Sequence, residues 1–420
     1  MSNFRNTRDP DRRRVLGLAA VGLPSLLAGP TPAQALQAWP CAGFVASSPK
    51  GRRAWATGEA PSGRPFHEDS PFRVASVSKM IAASVIVPIA AASPGGLDAD
   101  ASAGLGFRLR HPAWPDRPIR LRHLLAHTSG LRNGPSYPVP AGRLLSSAFL
   151  PAGAHYDAGG WFGPADHPPG ARFSYADVNF ALLAQWAERA TGQRFDLLMR
   201  ERLLAPAGTD AGYNWSGVSQ AGRRRAAPGL RRLDGAWVPQ VDASPPPIPE
   251  VSLLRAPEKP DLGPDGIRPG DNGFAFSPQG GLRASLADLD RLARRFLESA
   301  DAMRPMEAEA WRMGPEGADN EGGVLLAYGL GVQVITGVRG PRGDAFFGPG
   351  SQDWRGHLGD AYGWMTGLFW NRKTGESLAW ALNGMPETER PPGRLTALTG
   401  PEEALIAAGL RALGRKTGPG

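Results

Sequence analysis

The chain has 420 residues, 41% of them apolar, enough to bury one large core or two intergrown ones. Its net charge of +8 invites a nucleic-acid reading, but five Arg stand against two Asp in the first 35 residues alone. The other Arg are scattered among Asp and Glu with no aromatic stripe, so no nucleic-acid partner is expected. A single cysteine, Cys41, excludes a disulfide framework and reads as a small buried hydrophobe.

The N-terminus carries an address. Asp11-Arg12-Arg13-Arg14-Val15-Leu16 precedes an apolar run from Val15 to Ala28, and Ala33-Gln34-Ala35 supplies small residues for cleavage. Residues 1–35 therefore read as a twin-arginine signal, with a mature chain from about Leu36 in a periplasm-like compartment. Gly17, Gly22 and Pro24 break the apolar run, and no other stretch approaches membrane-span length, so no stable span is expected after cleavage. An uncleaved anchor is the alternative.

Beyond the leader, Gly43–Ala46 and Arg53–Ala56 flank the turn Ser48-Pro49-Lys50-Gly51 and predict a hairpin. The run from Met80 to Ala92, apolar nearly all round, predicts a buried helix. Asn179, Phe180, Leu183, Ala184 and Ala187 form a helical pattern ending at Gly192, and a second runs from Phe195 to Leu203 before Pro206. Between Ala211 and Asn272 the pattern dissolves into Pro, Gly and Arg, including Ser244-Pro245-Pro246-Pro247, and predicts a long loop.

Regular structure then resumes. Ser285 is placed to cap a helix bearing Leu289, Leu292, Ala293 and Phe296, with Asp288 and its neighbouring acids as surface charges. Leu325–Ile335, Gly363–Trp370 and Glu376–Leu382 predict strands, the last two joined by a turn over Asn371–Gly375, and a final helix covers Glu402–Leu413. Strands near both ends imply a sheet built from residues 36–95 and 270–420, with 96–269 as an inserted, mainly helical lobe. The cleft between them would hold the site.

Chemistry is signalled by a scarcity. Only five residues are Lys, at positions 50, 79, 259, 373 and 416, so a position that keeps Lys needs something guanidinium cannot do, such as losing a proton. Ser76-Val77-Ser78-Lys79 opens the buried helix, and the i to i+3 interval sets Ser76 and Lys79 on one face. Burial would favour the neutral amine, and the helix N-terminus would favour the negative charge that develops when Ser76 attacks a carbonyl. The bland alternative is a capping serine beside a lysine that snorkels to solvent. Ser47 and Lys50 share the interval, but Pro49 and the turn deny them a common helix face.

Several segments, in order, resemble the class C β-lactamases, D-alanyl-D-alanine peptidases and related esterases. They are Phe72-Arg73-Val74-Ala75-Ser76-Val77-Ser78-Lys79-Met80, Leu121-Arg122-His123-Leu124-Leu125-Ala126-His127-Thr128-Ser129-Gly130-Leu131 and Phe173-Ser174-Tyr175-Ala176-Asp177. Ser277-Pro278-Gln279-Gly280-Gly281-Leu282 and Gly356-His357-Leu358-Gly359 complete the set, and the likeness extends from about Gly43 to Asn383. The resemblance implies an α+β fold of the β-lactamase/transpeptidase type, an antiparallel sheet flanked by helices. It implies Ser76 as nucleophile, with Lys79 and Tyr175 as one proton relay in which the lysine's charge favours the phenolate. His357, Leu358 and Gly359 would face the nucleophile on an edge strand, and the backbone N–H groups of Ser76 and Asp360 would form the oxyanion hole.

Two departures from that pattern bear on substrate. Asp177 stands where the family often has Asn and should favour the ammonium of Lys79, moving the base role to Tyr175. His357 stands where Lys-Thr-Gly enzymes have Lys, removing a fixed cation unless Arg355 or Arg283 replaces it. Both changes argue for neutral esters or amides. Lys373-Thr374-Gly375 and Lys416-Thr417-Gly418 read as decoys in a turn and a tail. His123 and His127, four apart, read as structural histidines in one helix, without the Glu or third ligand a zinc site needs. No metal and no cofactor is expected. The expected function is a serine hydrolase forming an acyl-enzyme on a small ester, amide or peptide. The alternatives are a D-amino-acid peptidase or β-lactamase acting on cell-wall material, and a binding module without turnover.

Overall fold

A computed structural model of the chain describes residues 39–60, 63–140, 142–233, 235–240, 267–314, 318, 324–386 and 390–415. The leader expected over 1–35, Ser244–Pro247 and Lys416-Thr417-Gly418 lie outside the described residues.

The strands are β1 (Cys41–Ser48), β2 (Gly51–Gly58), β3 (Phe72–Arg73), β4 (Gly212–Tyr213), β5 (Gly229–Leu233), β6 (Ala236–Gln240), β7 (Leu282–Ala284), β8 (Trp311–Arg312), β9 (Ala327–Tyr328), β10 (Gln333–Val334), β11 (Trp354–Ala361), β12 (Trp364–Asn371) and β13 (Glu376–Asn383). An eight-stranded antiparallel sheet has the order β2-β1-β13-β12-β11-β10-β9-β8, so strands from both ends of the chain meet at the β1–β13 seam. The expected hairpins are present: β1 pairs with β2 from Ser48↔Gly51 outward, and β12 pairs with β13 from Asn371↔Glu376.

The central strands are buried on both faces, which is why they read as nearly continuous apolar runs. Alternation assigns the faces. Val45, Leu368, Trp370, Ala379 and Ala381 join the core that holds the helices Val77–Ala92 and Leu286–Glu298. Phe44, Ala46, Phe369, Leu378, Trp380 and Leu382 face the other way, toward Leu405 and Ile406 of the final helix, Gly400–Ala412. The sheet is thus a middle layer between helices. Helix Val178–Thr191 packs against Val77–Ala92 and ends at Gly192 in the left-handed region, φ 69°, as its sequence predicts.

Four expectations change. The stretch after Ala211 carries β4, a short helix at Gln220–Arg225 and the β5–β6 hairpin, because Gly212 and Tyr213 find ladder partners in Arg283 and Leu282. Leu325–Ile335 is two short strands with Gln333 opposite Tyr328, because Gly331 at φ 78° turns the chain back. The acids of Leu286–Glu298 are buried: Asp288 closes a capping box with Ser285, and Asp290 accepts from Ser47 Oγ at 2.6 Å and Arg52 Nε at 3.0 Å. The helix Leu121–Leu125 stops short of His127, which sits at φ 54°, so His123 and His127 do not share a helix face. Among the described residues no helix is long and apolar enough to cross a membrane.

Glu402 caps the final helix reciprocally with Thr399 and is 1% exposed, and its burial raises the carboxyl to about 7. A carboxyl raised on folding binds more protons in the folded state, so it lowers stability as pH rises from its ordinary value, 4.5, to about 7. Glu402→Gln keeps the capping box and removes the titration. The variant's stability relative to wild type should climb across that interval by up to about 1.4 kcal/mol per pH unit and stay level outside it. Urea unfolding at a series of pH values measures this, and parallel wild-type and variant curves would contradict it.

Candidate active site

The segment that carries Ser76 is set by strain and anchorage. Ala75 adopts φ 50°, a conformation costly for a residue with a Cβ, and so delivers Ser76 to the mouth of helix Val77–Ala92. Thr366 Oγ1 donates to Val74 O at 2.8 Å, tying this segment to β12. Ser76 makes no side-chain cap and Lys79 is fully buried, so the capping and snorkelling alternative does not hold. The helix face carries the pair as its spacing requires, with Lys79 Nζ donating to Ser76 Oγ at 2.9 Å.

Two further contacts complete the ammonium group. Nζ donates to the Gln279 carbonyl at 2.8 Å and pairs with Asp177 Oδ1 at 2.7 Å. Asp177 stands at the start of helix Val178–Thr191, and its other oxygen accepts from Tyr137 Oη at 3.0 Å and Asn133 Nδ2 at 3.4 Å. Gln279 Nε2 donates in turn to Tyr137 Oη at 3.3 Å. Burial, with the Asp177 charge next, holds the Tyr137 phenol well above its ordinary range, so it stays a donor. Tyr175 lies with its ring centroid 4.7 Å from Lys79 Nζ.

β10 pairs with β11 only at Arg355 and Gly356, so from His357 onward this edge of β11 faces the cleft instead of another described strand. The cleft has a volume of about 520 Å³, and Ser76, Tyr175, Asp177, His357, Leu358, Gly359 and Asp360 all line it. The residues singled out from sequence thus converge on one cavity, with Lys79 directly behind it. Gly359 is needed for the close approach: a Cβ there would come within 2.4 Å of Val74 O and 2.3 Å of Thr366 Oγ1.

His357 differs from a solvent-facing base. It is 2% exposed, and burial, then the charge of Lys79, pushes it down to about 3. Its Nδ1 faces the Leu358 carbonyl and must donate, so Nε2 accepts from Tyr328 Oη at 2.8 Å. A neutral ring is consistent with a missing cation at this position. Arg283 and Arg355 do not supply it: the first donates to Gly281 O and the second to Gln352, Trp354 and Glu307 carbonyls, and neither is among the described residues that line the cleft.

Among the described residues, the guanidinium that does line the cleft is Arg390, which sequence reasoning missed. It pairs through both terminal nitrogens with Asp360. Asn133, Tyr137 and Tyr328 were missed too. Asn133 lies just past the Leu121–Leu131 segment, and nothing local marks the other three. Of the decoys, Lys373 is in the β12–β13 turn, 3.5 Å from Asp353. Cys41 is fully buried, and burial raises its thiol to about 12.

Residues 42–399 match the family model described as Beta-lactamase, and the chain belongs to that family. It is 31% identical over 141 residues to penicillin-binding protein 4 of Amycolatopsis lactamdurans, covering 33% of this chain and 35% of that one. It is 40% identical over 81 residues to esterase EstB of Burkholderia gladioli, covering 19% of this chain and 21% of that one. The aligned segments therefore span about a third or less of those relatives. The D-amino acid amidase of Ochrobactrum anthropi SV3 superimposes with a TM-score of 0.62 at 17% identity, over 91% of this chain and 99% of that one. The fold is thus α+β, of the β-lactamase/transpeptidase type.

Gly359→Ala should slow labelling of Ser76 by a fluorophosphonate about 100-fold, because the added methyl drives β11 away from the Val74–Ser76 segment by a fraction of an ångström or more. Labelling at the wild-type rate in a folded variant would show that this approach does not matter.

Proposed function

We propose that this protein is a serine hydrolase that forms an acyl-enzyme on Ser76 from a neutral ester or amide, which water then releases. The observation that carries the reading is the Lys79 contact set: a buried ammonium holds the Ser76 hydroxyl at 2.9 Å while Asp177 holds the ammonium as an ion pair. With Ser76, Gln279 and Asp177 occupying its three donor positions, the ammonium has nowhere to take a further proton, which leaves Tyr175 as base, its phenolate favoured by the cation beside its ring. The proton leaves Ser76 for Tyr175, the oxygen attacks the carbonyl, and the same proton passes to the leaving group. The N–H groups of Ser76 and Asp360 receive the oxyanion. Export through residues 1–35 belongs to the same proposal.

The charge pattern supports neutral substrates. Lys79 is paired with Asp177 and Arg390 with Asp360, while His357 is uncharged, so no cation of the described cleft is left over for a substrate carboxylate. A peptidase or β-lactamase acting on anionic cell-wall substrates would have to break one of these pairs.

Ser76→Ala should abolish p-nitrophenyl ester hydrolysis and fluorophosphonate labelling together, and retained turnover would exclude the mechanism. Asp177→Asn should raise turnover of an anionic β-lactam relative to a neutral ester about tenfold, the size of one partly screened charge contact. An unchanged ratio would show that electrostatic exclusion is the wrong reason for the preference.

A further inference from the structure

His127 belongs to the segment Leu121–Leu131, which the proposed chemistry does not use, yet it encloses Tyr175 on three sides. Its carbonyl accepts from Ser174 N at 2.8 Å and its Nδ1 from Ala176 N at 3.2 Å, so the amides before and after Tyr175 both end on this residue. Its ring lies against the Tyr175 ring with centroids 4.4 Å apart and planes at 30°. The left-handed backbone at φ 54° brings carbonyl and imidazole to the same strand of chain at once.

The proton inventory of the ring is fixed by its neighbours. Ser129 Oγ donates to Asn179 Oδ1 at 2.7 Å, which turns Asn179 Nδ2 toward His127 Nδ1 at 3.1 Å. Nδ1 therefore accepts twice and carries no proton. Burial, with the charge of Lys79 next, holds the imidazole well below its ordinary range, so the ring is neutral with its proton on Nε2, an atom that is buried without a hydrogen-bond partner. An orphaned buried donor is costly, and a site keeps one when the rest of the side chain is required.

We infer that His127 is a positioning residue for Tyr175, locking the phenol in the orientation that takes the proton of Ser76. This rests on the proposed role of Tyr175 as base. The residue acts through three contacts at once: an uncharged ring behind the phenol, a ring nitrogen that accepts from the Ala176 amide, and a backbone carbonyl that accepts from the Ser174 amide. Neutrality matters, because a charged ring would put a second cation next to Lys79 at the same phenol.

Two substitutions separate the contacts. His127→Asn tolerates the left-handed backbone and keeps an acceptor for Ala176 while deleting the ring, whereas His127→Phe keeps a ring and deletes the acceptor. Each should lower kcat for a p-nitrophenyl ester about tenfold or more, leave KM within about twofold, and move the acid limb of the pH profile of kcat/KM. In a Tyr175→Phe background His127→Asn should cost nothing further, since the group it positions is gone. Wild-type kcat and pH profile in either folded variant, or a full additional loss on top of Tyr175→Phe, would overturn the inference. Failure of both variants to fold would overturn it equally, by assigning His127 to stability. Full activity of Tyr175→Phe alone would instead remove the base reading, so the two failures are told apart.

Discussion

A lysine ammonium with no exposure is the constraint on which this site is built. Burying an isolated charge costs many kcal/mol, so Lys79 must have every proton satisfied and its charge opposed. The three groups that do this are Ser76 Oγ, Gln279 O and Asp177 Oδ1, and they come from a helix mouth, a turn and the start of another helix. Segments about 100 and 200 residues distant are held at one point by a single nitrogen. The same contacts that make the burial tolerable also bring Ser76 together with its neighbours.

Satisfying one charge passes the demand outward. Asp177, recruited by Lys79, needs donors for its second oxygen and takes them from Tyr137 and Asn133, and Gln279 serves both Lys79 and Tyr137. The two histidines nearest Lys79 are uncharged for the complementary reason: burial disfavours their protonation and the lysine adds to it. A neutral His357 can accept from Tyr328, which fixes this part of the cleft wall. Ser76, Lys79, Asp177, Gln279, Tyr137 and Asn133 form one connected network, and removing a member leaves a buried partner unsatisfied.

What the sequence made legible were features with a local period or a local cap. The β1–β2 and β12–β13 hairpins, the helices through Val77–Ala92 and Val178–Thr191, and the Ser76–Lys79 pairing all follow from residues within a few positions of one another. Asp288 and Asp290 were misread because acids on an amphipathic helix are ordinarily solvated, whereas here Ser285, Ser47 and Arg52 lie close enough to receive them. Two histidines at i and i+4 suggested a shared face until the chain left the helix before the second. Gln279 acts through a backbone carbonyl, which no residue type advertises, and Arg390 differs in nothing local from the many other arginines.

Arginine was nevertheless where substrate charge had to be decided. The sequence directed attention to Arg283 and Arg355, which flank the site in the chain but spend their donors on carbonyls. Arg390 reaches the cleft from the far end and is matched there by Asp360, the residue whose N–H the proposed oxyanion hole would use. A substrate carboxylate could engage Arg390 only by competing with a bidentate carboxylate already in place. On the proposed reading an anionic substrate would therefore have to part Arg390 from Asp360, whereas a neutral ester leaves the pair intact. Along this lineage of contacts, losing a carboxylate is a shorter route to anion recognition than acquiring another cation.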